Sequence, residues 1–286
     1  MMPAAPGPGV PEYKRNYWRY QYELARLYLI PLLREWGIDV RGRRVLDVGC
    51  AEGGVLVACI EEGAEAIGLE LSPSRAELAK ILAAERGIDL RVHVGDVLDP
   101  GTVADLPRPF DLVILRDVLE HVSDRLRALL HVRHVLDPEH GRALISFPPF
   151  YSPFGGHQQM LGSRFRLLPY WHILPDPVFR WLASFLRKMD RQPYILDEMV
   201  LFRRDRLSLG RFQRLIRQAG LEVVDSVCYL SRPSHKLRYG WPVIRAGVLG
   251  RLPVVRELLV SGAYYLLAVG GDAASERPAQ GRDVGK

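Results

Sequence analysis

Cysteine is scarce in this chain of 286 residues. The three cysteines, Cys50, Cys59 and Cys228, are odd in number and far apart, so their spacing matches neither a disulfide framework nor a zinc site. The N-terminal stretch MMPAAPGPGV also lacks the charged start and the apolar run of a signal peptide. We therefore expect a reducing, cytoplasmic setting.

A long apolar run is also missing. The longest uncharged apolar stretch near the C-terminus, residues 258–271, is shorter than the roughly 20 residues that a bilayer-spanning helix needs. We therefore expect no transmembrane helix. The content of 48% hydrophobic and 25% charged residues is ordinary for a globular protein. We predict a single domain over residues 13–272, with a flexible leader over residues 1–12 and a flexible tail over residues 273–286.

Acidic residues are absent from one segment near the C-terminus, residues 231–256. Aromatic and aliphatic side chains there alternate with six basic residues, namely Arg232, Lys236, Arg238, Arg245, Arg251 and Arg256. The pattern has two interpretations. It is either a solvated basic face or a surface for an acidic substrate, a phospholipid headgroup or a lipid-linked intermediate. Peripheral membrane contact through residues 231–256 follows from the second interpretation.

The chain does contain a regular alternation of strands and helices. After an aromatic-rich helix over about residues 13–36, interrupted near Pro31, we predict seven strands, within residues 43–50, 65–72, 90–99, 110–118, 141–150, 221–230 and 262–271. The alternation predicts an α/β fold whose mostly parallel sheet carries helices on both faces. Its core covers residues 43–150 and 207–272. Two less regular stretches, about residues 148–206 and 231–257, are predicted to be lid insertions.

The first strand ends in a glycine-containing turn, VLDVGCAEGG, residues 45–54. Such a turn brings backbone N–H groups close to a ligand, but the glycine spacing fits the dinucleotide fingerprint poorly. The turn resembles the acidic-x-Gly-x-Gly-x-Gly motif of class I S-adenosylmethionine-dependent methyltransferases, with Ala51 at the middle glycine. The resemblance implies a seven-stranded, Rossmann-like sheet whose last strand is antiparallel. It also implies S-adenosylmethionine as cofactor and S-adenosylhomocysteine as product, with these cofactor-binding residues in the turn: Asp47, Gly49, Cys50, Ala51 and Gly53.

Acids at later strand ends extend this resemblance. Glu70 ends the second strand 21 residues after Gly49, where a carboxylate can accept both ribose hydroxyls. In the family, the counterpart of Asp96 binds the adenine amino group, and Val97 would offer its backbone N–H to the ring. Leu71 and Arg116 complete the set of cofactor-binding candidates. The fourth strand and its loop, FDLVILRDVLEHVSD, match the region where the methionine part of the cofactor lies.

Methyl transfer to a hydroxyl needs an aligned nucleophile and a proton acceptor, for which histidine is the usual residue. His157 lies in a polar, glycine-containing loop directly after the fifth strand, so it is the first candidate for the base. His121 is the second candidate and His172, among aromatic residues, the third. The alternative is that these histidines stabilise loops through local hydrogen bonds.

The stretch VLEHV is similar to the quinone O-methyltransferases, in which acidic residues at this place are associated with a divalent metal. Asp117, Glu120 and His121 have the spacing i, i+3, i+4 and would share one helical face. Beyond this resemblance the sequence does not support a metal, and we do not predict one.

The leading interpretation is a methyltransferase that acts on a small or lipid-like molecule, most simply at oxygen. Methylation at carbon or nitrogen of a natural-product or sugar-lipid intermediate is an alternative. A nucleic-acid methyltransferase would agree with the pI of about 9.3. However, Phe147 in the stretch FPPF replaces the polar acceptor that such enzymes use, and we expect no nucleic-acid partner. The non-enzymatic alternative is an inactive cofactor-binding scaffold.

Overall fold

The computed structural model describes residues 9–190 and 194–270 of the chain. These residues form a central sheet of eight strands in the order β3-β2-β1-β4-β5-β8-β6-β7. The strands are β1 Arg44–Val48, β2 Glu65–Glu70, β3 Arg91–Val94, β4 Leu112–Arg116, β5 Arg142–Phe147, β6 Leu221–Ser231, β7 Ile244–Arg245 and β8 Gly262–Val269. The first five strands are parallel, and β8 runs antiparallel to both β5 and β6. The predicted α/β class and the antiparallel last strand are confirmed.

The eighth strand is an addition to the seven predicted ones. Strand β7 has only two residues and pairs with the end of β6, beside a register shift between Tyr229 and Ser231. It falls within the basic stretch that we interpreted as an insertion. A strand of two residues is too short to produce a recognisable sequence period, so β7 could not be predicted from the sequence.

Helices cover both faces of the sheet. They are α1 Glu12–Leu24, α2 Ile30–Glu35, α3 Gly54–Glu61, α4 Pro73–Ala84, α5 Pro100–Ala104, α6 Arg125–Val135, α7 Asp176–Arg187, α8 Tyr194–Arg204, α9 Leu209–Gln218, α10 Pro233–Tyr239 and α11 Pro253–Leu259. A π-helical turn, Ala25–Leu29, joins α1 to α2. Because Pro31 has no N–H to donate to the carbonyl of Leu27, the wider turn occurs where the regular bonding pattern must be interrupted.

Two apolar clusters flank the sheet. On one side, Leu46 and Val113 pack with residues of α6 and α9 such as Leu129 and Phe212. On the other side, the alternate positions of the same strands pack against α1, α2, α3 and α4. Since β4 and β5 are buried on both faces, their sequences are nearly continuous apolar runs.

The stretch 148–206 is more regular than its sequence indicated. It contains short 3₁₀ turns followed by α7 and α8, which share a separate small core with Trp171. Prolines concealed this order, but Pro177 lies in the first turn of α7, where a backbone N–H is not required. None of the described helices is long and apolar enough to cross a membrane.

The predicted domain limits remain predictions. Residues 9–11 precede α1, residues 1–8 of the proposed leader lie outside the described part, and so does the whole of the proposed tail at residues 273–286.

Candidate active site

The turn after β1 depends on three residues in the left-handed backbone region. Gly49, Ala51 and Gly53 have φ values of 71°, 55° and 78°. A Cβ at Gly49 would lie 2.6 Å from Cγ2 of Val118, so this position needs glycine for space as well as for its conformation. The N–H of Gly49 donates to the carbonyl of Leu69 at 2.7 Å, which holds the turn against β2.

Glu70 links this turn to the end of β2. Its buried carboxylate accepts hydrogen bonds from the backbone N–H of Ala51 at 2.8 Å and from that of Ser72 at 3.0 Å. Each carboxylate oxygen has capacity for a further hydrogen bond. Glu70 therefore stabilises the turn and is available to a ligand in the adjacent cavity.

Two adjoining cavities lie at the carboxyl ends of the parallel strands. The larger has a volume of about 740 Å³ and the smaller about 330 Å³, and Gly49, Val118 and His121 line both. Seven of the ten predicted cofactor residues line one or the other: Gly49, Ala51, Glu70 and Arg116 in the larger, and Gly49, Leu71, Asp96 and Val97 in the smaller. The volumes are in the range of small-molecule sites.

The other three predicted cofactor residues do not line these cavities. Asp47 is buried, and burial raises the pKa of its carboxyl to about 7 although Arg116 opposes the change. Cys50 is buried, with its carbonyl 3.4 Å from Nε2 of Gln21. Gly53 occupies the cap position before α3. Asp47 thus belongs to β1 in the core of the sheet, and Cys50 and Gly53 belong to the turn itself.

Glu52 lines the larger cavity but is not among the predicted cofactor residues. Its buried carboxylate pairs with Lys14 of α1 at 2.7 Å and with Arg75 of α4 at 2.8 Å, and all three residues line the larger cavity. The pairs connect α1 to α4 at the cavity wall. A charged residue among the small residues of the turn was the signal that would have identified it.

Asp117 lies between two arginines. It follows β4 with a φ of 54°, and its carboxylate accepts from Nη1 of Arg232 at 2.9 Å and from Nη1 of Arg116 at 3.2 Å. Burial acts to raise the pKa of Asp117, but Arg232 and Arg116 outweigh it and lower the pKa. Arg232 thus belongs to the buried site. The first of the two interpretations of residues 231–256, a solvated basic face, does not apply to this residue. Arg238 also lines the cavity, with its guanidinium 4.4 Å from the ring centre of Tyr20.

Both histidine candidates line the larger cavity, beside Glu120. Nε2 of His157 is 4.0 Å from Oε1 of Glu120, and the rings of His157 and His121 are 5.2 Å apart. Burial lowers the pKa of His157 to about 3, and His121 and Arg232 act in the same direction. Burial raises the pKa of Glu120 to about 8, assisted by the negative charge of Asp117. Near neutral pH, Glu120 therefore carries its proton and His157 does not.

The same three residues form a group that could hold a metal ion. One ligand atom each from Glu120, His121 and His157 lie within 4.8 Å of one another. Both oxygens of Glu120 and Nδ1 of His157 are buried without a hydrogen-bond partner, and one carboxylate with two imidazoles is a donor set that divalent transition metals accept. Asp117, part of the set considered from the sequence, is instead ion-paired to the two arginines.

His172, the third candidate for the base, has a structural environment. It is fully buried, with Nε2 2.7 Å from the carbonyl of Phe150 and Nδ1 3.0 Å from Nε2 of Gln158. Both ring nitrogens are therefore hydrogen-bonded within the insertion, and burial lowers the pKa to about 4. These contacts position the loop that carries His157.

A separate groove of about 610 Å³ lies at the opposite end of the sheet. It is lined by Arg44, Glu65 and Arg91, the first residues of β1, β2 and β3. Ligands of open parallel sheets bind at the carboxyl ends of strands, so this groove is not the site that the fold favours.

A glycine turn after β1, a buried acid at the end of β2 and a second acid after β3 are typical of α/β proteins that bind a nucleoside-containing cofactor. A family model described as a methyltransferase domain matches residues 17–226. The chain belongs to this family and is a class I S-adenosylmethionine-dependent methyltransferase.

Curated relatives resemble part of the chain. A ubiquinone biosynthesis O-methyltransferase of Xylella fastidiosa is 32% identical over 109 residues, which are 38% of this chain and 43% of that protein. One from Xanthomonas campestris is 31% identical over 134 residues, which are 47% of this chain and 51% of that protein. The chain thus spans about half or less of the length of the curated relatives that it matches.

Solved structures resemble more of the chain. An S-adenosylmethionine-dependent methyltransferase from Clostridium acetobutylicum has a TM-score of 0.56 at 13% identity, covering 91% of this chain and 100% of that one. At this identity the likeness establishes the fold alone.

Proposed function

We propose that the protein transfers the methyl group of S-adenosylmethionine to a hydroxyl oxygen of a small or lipid-like acceptor, with His157 as the general base. The observation that carries the proposal is one continuous site. Glu70 and Asp96, which are suited to ribose and adenine, line cavities that meet at His121, beside the buried pair of His157 and Glu120.

The proposed orientation of the cofactor follows the strand order. Glu70 at the end of β2 would hold the ribose, and Asp96 and Val97 after β3 would hold the adenine. Arg116 at the end of β4 would then face the methionine part, and His121 and His157 would be the residues available at the methyl group. His157 and Glu120 are buried there, and alignment of the acceptor beside them would favour an in-line approach.

The proton is transferred within the same region. S-adenosylmethionine would supply an electrophilic methyl group on a sulfonium that departs as the neutral thioether. The neutral imidazole of His157 would accept the proton of the acceptor hydroxyl. A base with so low a pKa favours acceptors whose hydroxyl is itself acidic, such as phenols.

A divalent metal is an addition that the proposal does not require. If one binds, Glu120, His121 and His157 would hold it, and it would polarise the acceptor hydroxyl as a Lewis acid. Activity that survives exhaustive chelation would exclude this variant of the mechanism.

Two observations support a small-molecule acceptor over nucleic acid. Phe147 packs in the core with its ring 4.9 Å from that of Phe212, so the FPPF stretch offers no polar acceptor for a nucleobase amine. The two curated relatives described above, which match part of the chain, are named as ubiquinone biosynthesis O-methyltransferases. Free, largely buried cysteines agree with the proposed cytoplasmic location.

Titration calorimetry tests the cofactor part of the proposal. We expect micromolar binding of S-adenosylmethionine and S-adenosylhomocysteine and none of NADH. In Glu70→Gln, loss of charge-assisted hydrogen bonds should weaken both ligands at least about tenfold. Glu77→Gln, on the exposed surface of α4, is the matched control. Binding of NADH, or equal affinity in Glu70→Gln, would contradict the proposal.

A screen of acceptors tests the chemistry. Phenols, amines and carbon acids of similar size are incubated with methyl-labelled cofactor, and products are identified by mass. We expect labelled ethers from phenols, with the rate lowered in His157→Asn and cofactor affinity retained. Exclusive labelling of nitrogen or carbon would refute the choice of oxygen.

A further inference from the structure

Helix α7 carries more apolar surface than the domain covers. Its buried side consists of Phe179, Leu182, Ala183 and Leu186. Val178, Trp181 and Phe185, at spacing i, i+3 and i+7, extend this apolar sector to one side and are exposed by 46%, 70% and 47%. The rings of Trp181 and Phe185 stack with centroids 6.5 Å apart. Large exposed apolar surfaces of this kind commonly mark sites of interaction with a protein or a membrane.

The turn before α7 adds to the same character. Leu167 and Leu168 are exposed by 69% and 48%, and Met189 just after the helix by 65%. Residues 164–189 contain five basic residues and one acidic residue, a net charge of +4, counted from Arg164, Arg166, Arg180, Arg187, Lys188 and Asp176. Asp176 itself is ion-paired to Arg203, and Arg187 is ion-paired to Asp197 of α8. Arg164, Arg166, Arg180 and Lys188 are the remaining cations of the segment.

The basic side chains are arranged beside the apolar ones. Arg180, Arg187 and Lys188 are exposed around the apolar sector of α7, and the exposed Arg164 and Arg166 precede the exposed Leu167 and Leu168 in the preceding turn. Exposed aromatic side chains flanked by Lys and Arg are typical of helices that lie in the headgroup region of anionic bilayers.

Helix α7 contacts the wall of the candidate active site through α8. Ile195, Leu196 and Met199 of α8 share a core with α7, while Glu198, on the same helix, lines the larger cavity. Leu201 and Phe202 of α8 line a neighbouring cavity of about 270 Å³ together with His121. Contact of α7 with a surface would therefore bring the acceptor side of the site close to that surface.

We infer that α7 and the turn before it, residues 164–189, form a docking surface for an anionic lipid bilayer, with Trp181 and Phe185 inserted among the headgroups. The basic charge of this surface favours an anionic bilayer as its partner. A second copy of the chain would bring two basic surfaces together, whereas anionic lipid neutralises them. The inference does not depend on methyl transfer, since docking needs neither cofactor nor acceptor.

Vesicle flotation tests the inference with purified full-length protein. We expect the protein to float with vesicles that contain phosphatidylglycerol and to float less with pure phosphatidylcholine or in high salt. The double variant Trp181→Glu/Phe185→Glu should lose at least about tenfold in vesicle affinity, because it removes the inserted side chains and adds repelled charges. Thermal unfolding of each variant establishes that it is folded.

Two further variants make the comparison specific. Ile81→Glu/Leu130→Glu changes two similarly exposed apolar residues on α4 and α6 and should bind vesicles like the unaltered protein. Val248→Glu/Val254→Glu changes exposed residues of the basic segment at residues 231–256, the alternative membrane surface. Loss of binding in that variant, with Trp181→Glu/Phe185→Glu unaffected, would overturn the inference in favour of residues 231–256.

Other outcomes would also overturn it. Absence of flotation at every lipid composition would exclude docking to a bilayer. Self-association in sedimentation experiments, abolished by Trp181→Glu/Phe185→Glu, would show that a second copy covers α7. Failure of cofactor binding would leave the flotation result unchanged and so is distinguishable from failure of this inference.

Discussion

Replacement of Glu120 by Gln should change how the stability of the protein depends on pH. The carboxyl of Glu120 is buried, its pKa is about 8 in the folded protein, and its ordinary value is 4.5. Between these two pH values the folded state binds a proton that the unfolded state has lost. The free energy of unfolding therefore falls as pH rises, by about 1.4 kcal/mol per pH unit. Over the whole interval the loss amounts to at most about 5 kcal/mol.

The interval from pH 6.5 to 8 gives the cleanest comparison. Burial lowers the pKa of His157 from 6.5 to about 3, so this residue adds a slope of opposite sign only below about pH 6.5. Asp47, whose pKa burial raises to about 7, contributes equally to both proteins and cancels in the difference. We expect the free energy of unfolding of Glu120→Gln, relative to the unaltered protein, to rise by about 2 kcal/mol between pH 6.5 and 8.

Urea unfolding at half-unit steps across this interval measures the effect, with fluorescence and circular dichroism as probes. Glu77→Gln, at an exposed position of α4, is the control and should give a difference that does not vary with pH. Parallel pH dependences for Glu120→Gln and the unaltered protein would mean that Glu120 is ionised at neutral pH. The reasoning about the His157–Glu120 pair would then fail.

Three further predictions concern the turn after β1 and its cover. Ala51→Gly should raise the free energy of unfolding by up to about 1 kcal/mol, because glycine adopts a φ of 55° without strain; a loss of stability in urea would contradict this. Gly49→Ala should lower it by about 2–3 kcal/mol, since the new Cβ would meet Val118 at 2.6 Å; an unchanged urea midpoint would refute the close contact. Lys14→Met should lower the free energy of unfolding by about 1–2 kcal/mol and speed hydrogen exchange in α1, because Glu52 would keep only its ion pair with Arg75. Unaltered exchange would show that the Lys14–Glu52 ion pair does not stabilise α1.

Local sequence was enough to predict the strands and the cofactor side of the site. β1, β4 and β5 are apolar runs between turn signals, and each remains a strand in the fold. Gly49 and Glu70 were recognisable because their roles depend on neighbours along the chain, a turn and the end of the next strand. Asp47 shows the limit of that reasoning, since its place in the motif did not reveal that it is buried away from the cavities.

Long-range contacts were not recognisable in the same way. Asp117 and Arg232 are 115 residues apart in the chain, yet their side chains are 2.9 Å apart in the fold. Nothing in the basic segment distinguishes the buried Arg232 from the exposed Arg251 before β6 is placed beside β8. Helix α7 was missed for a different reason, since the prolines at its start resemble those of an irregular loop.

The sequence by itself therefore determined the α/β fold and the family to which the chain belongs, because periodicity and short motifs act over a few residues. Only the tertiary structure decided which charges are buried together and which apolar side chains remain exposed. Sheet order brings Glu120 and His157 to within 4.0 Å, although they belong to loops after different strands. Burial then changes their pKa values in opposite directions, because the free energy of a charge depends on the surroundings that the whole fold creates around it.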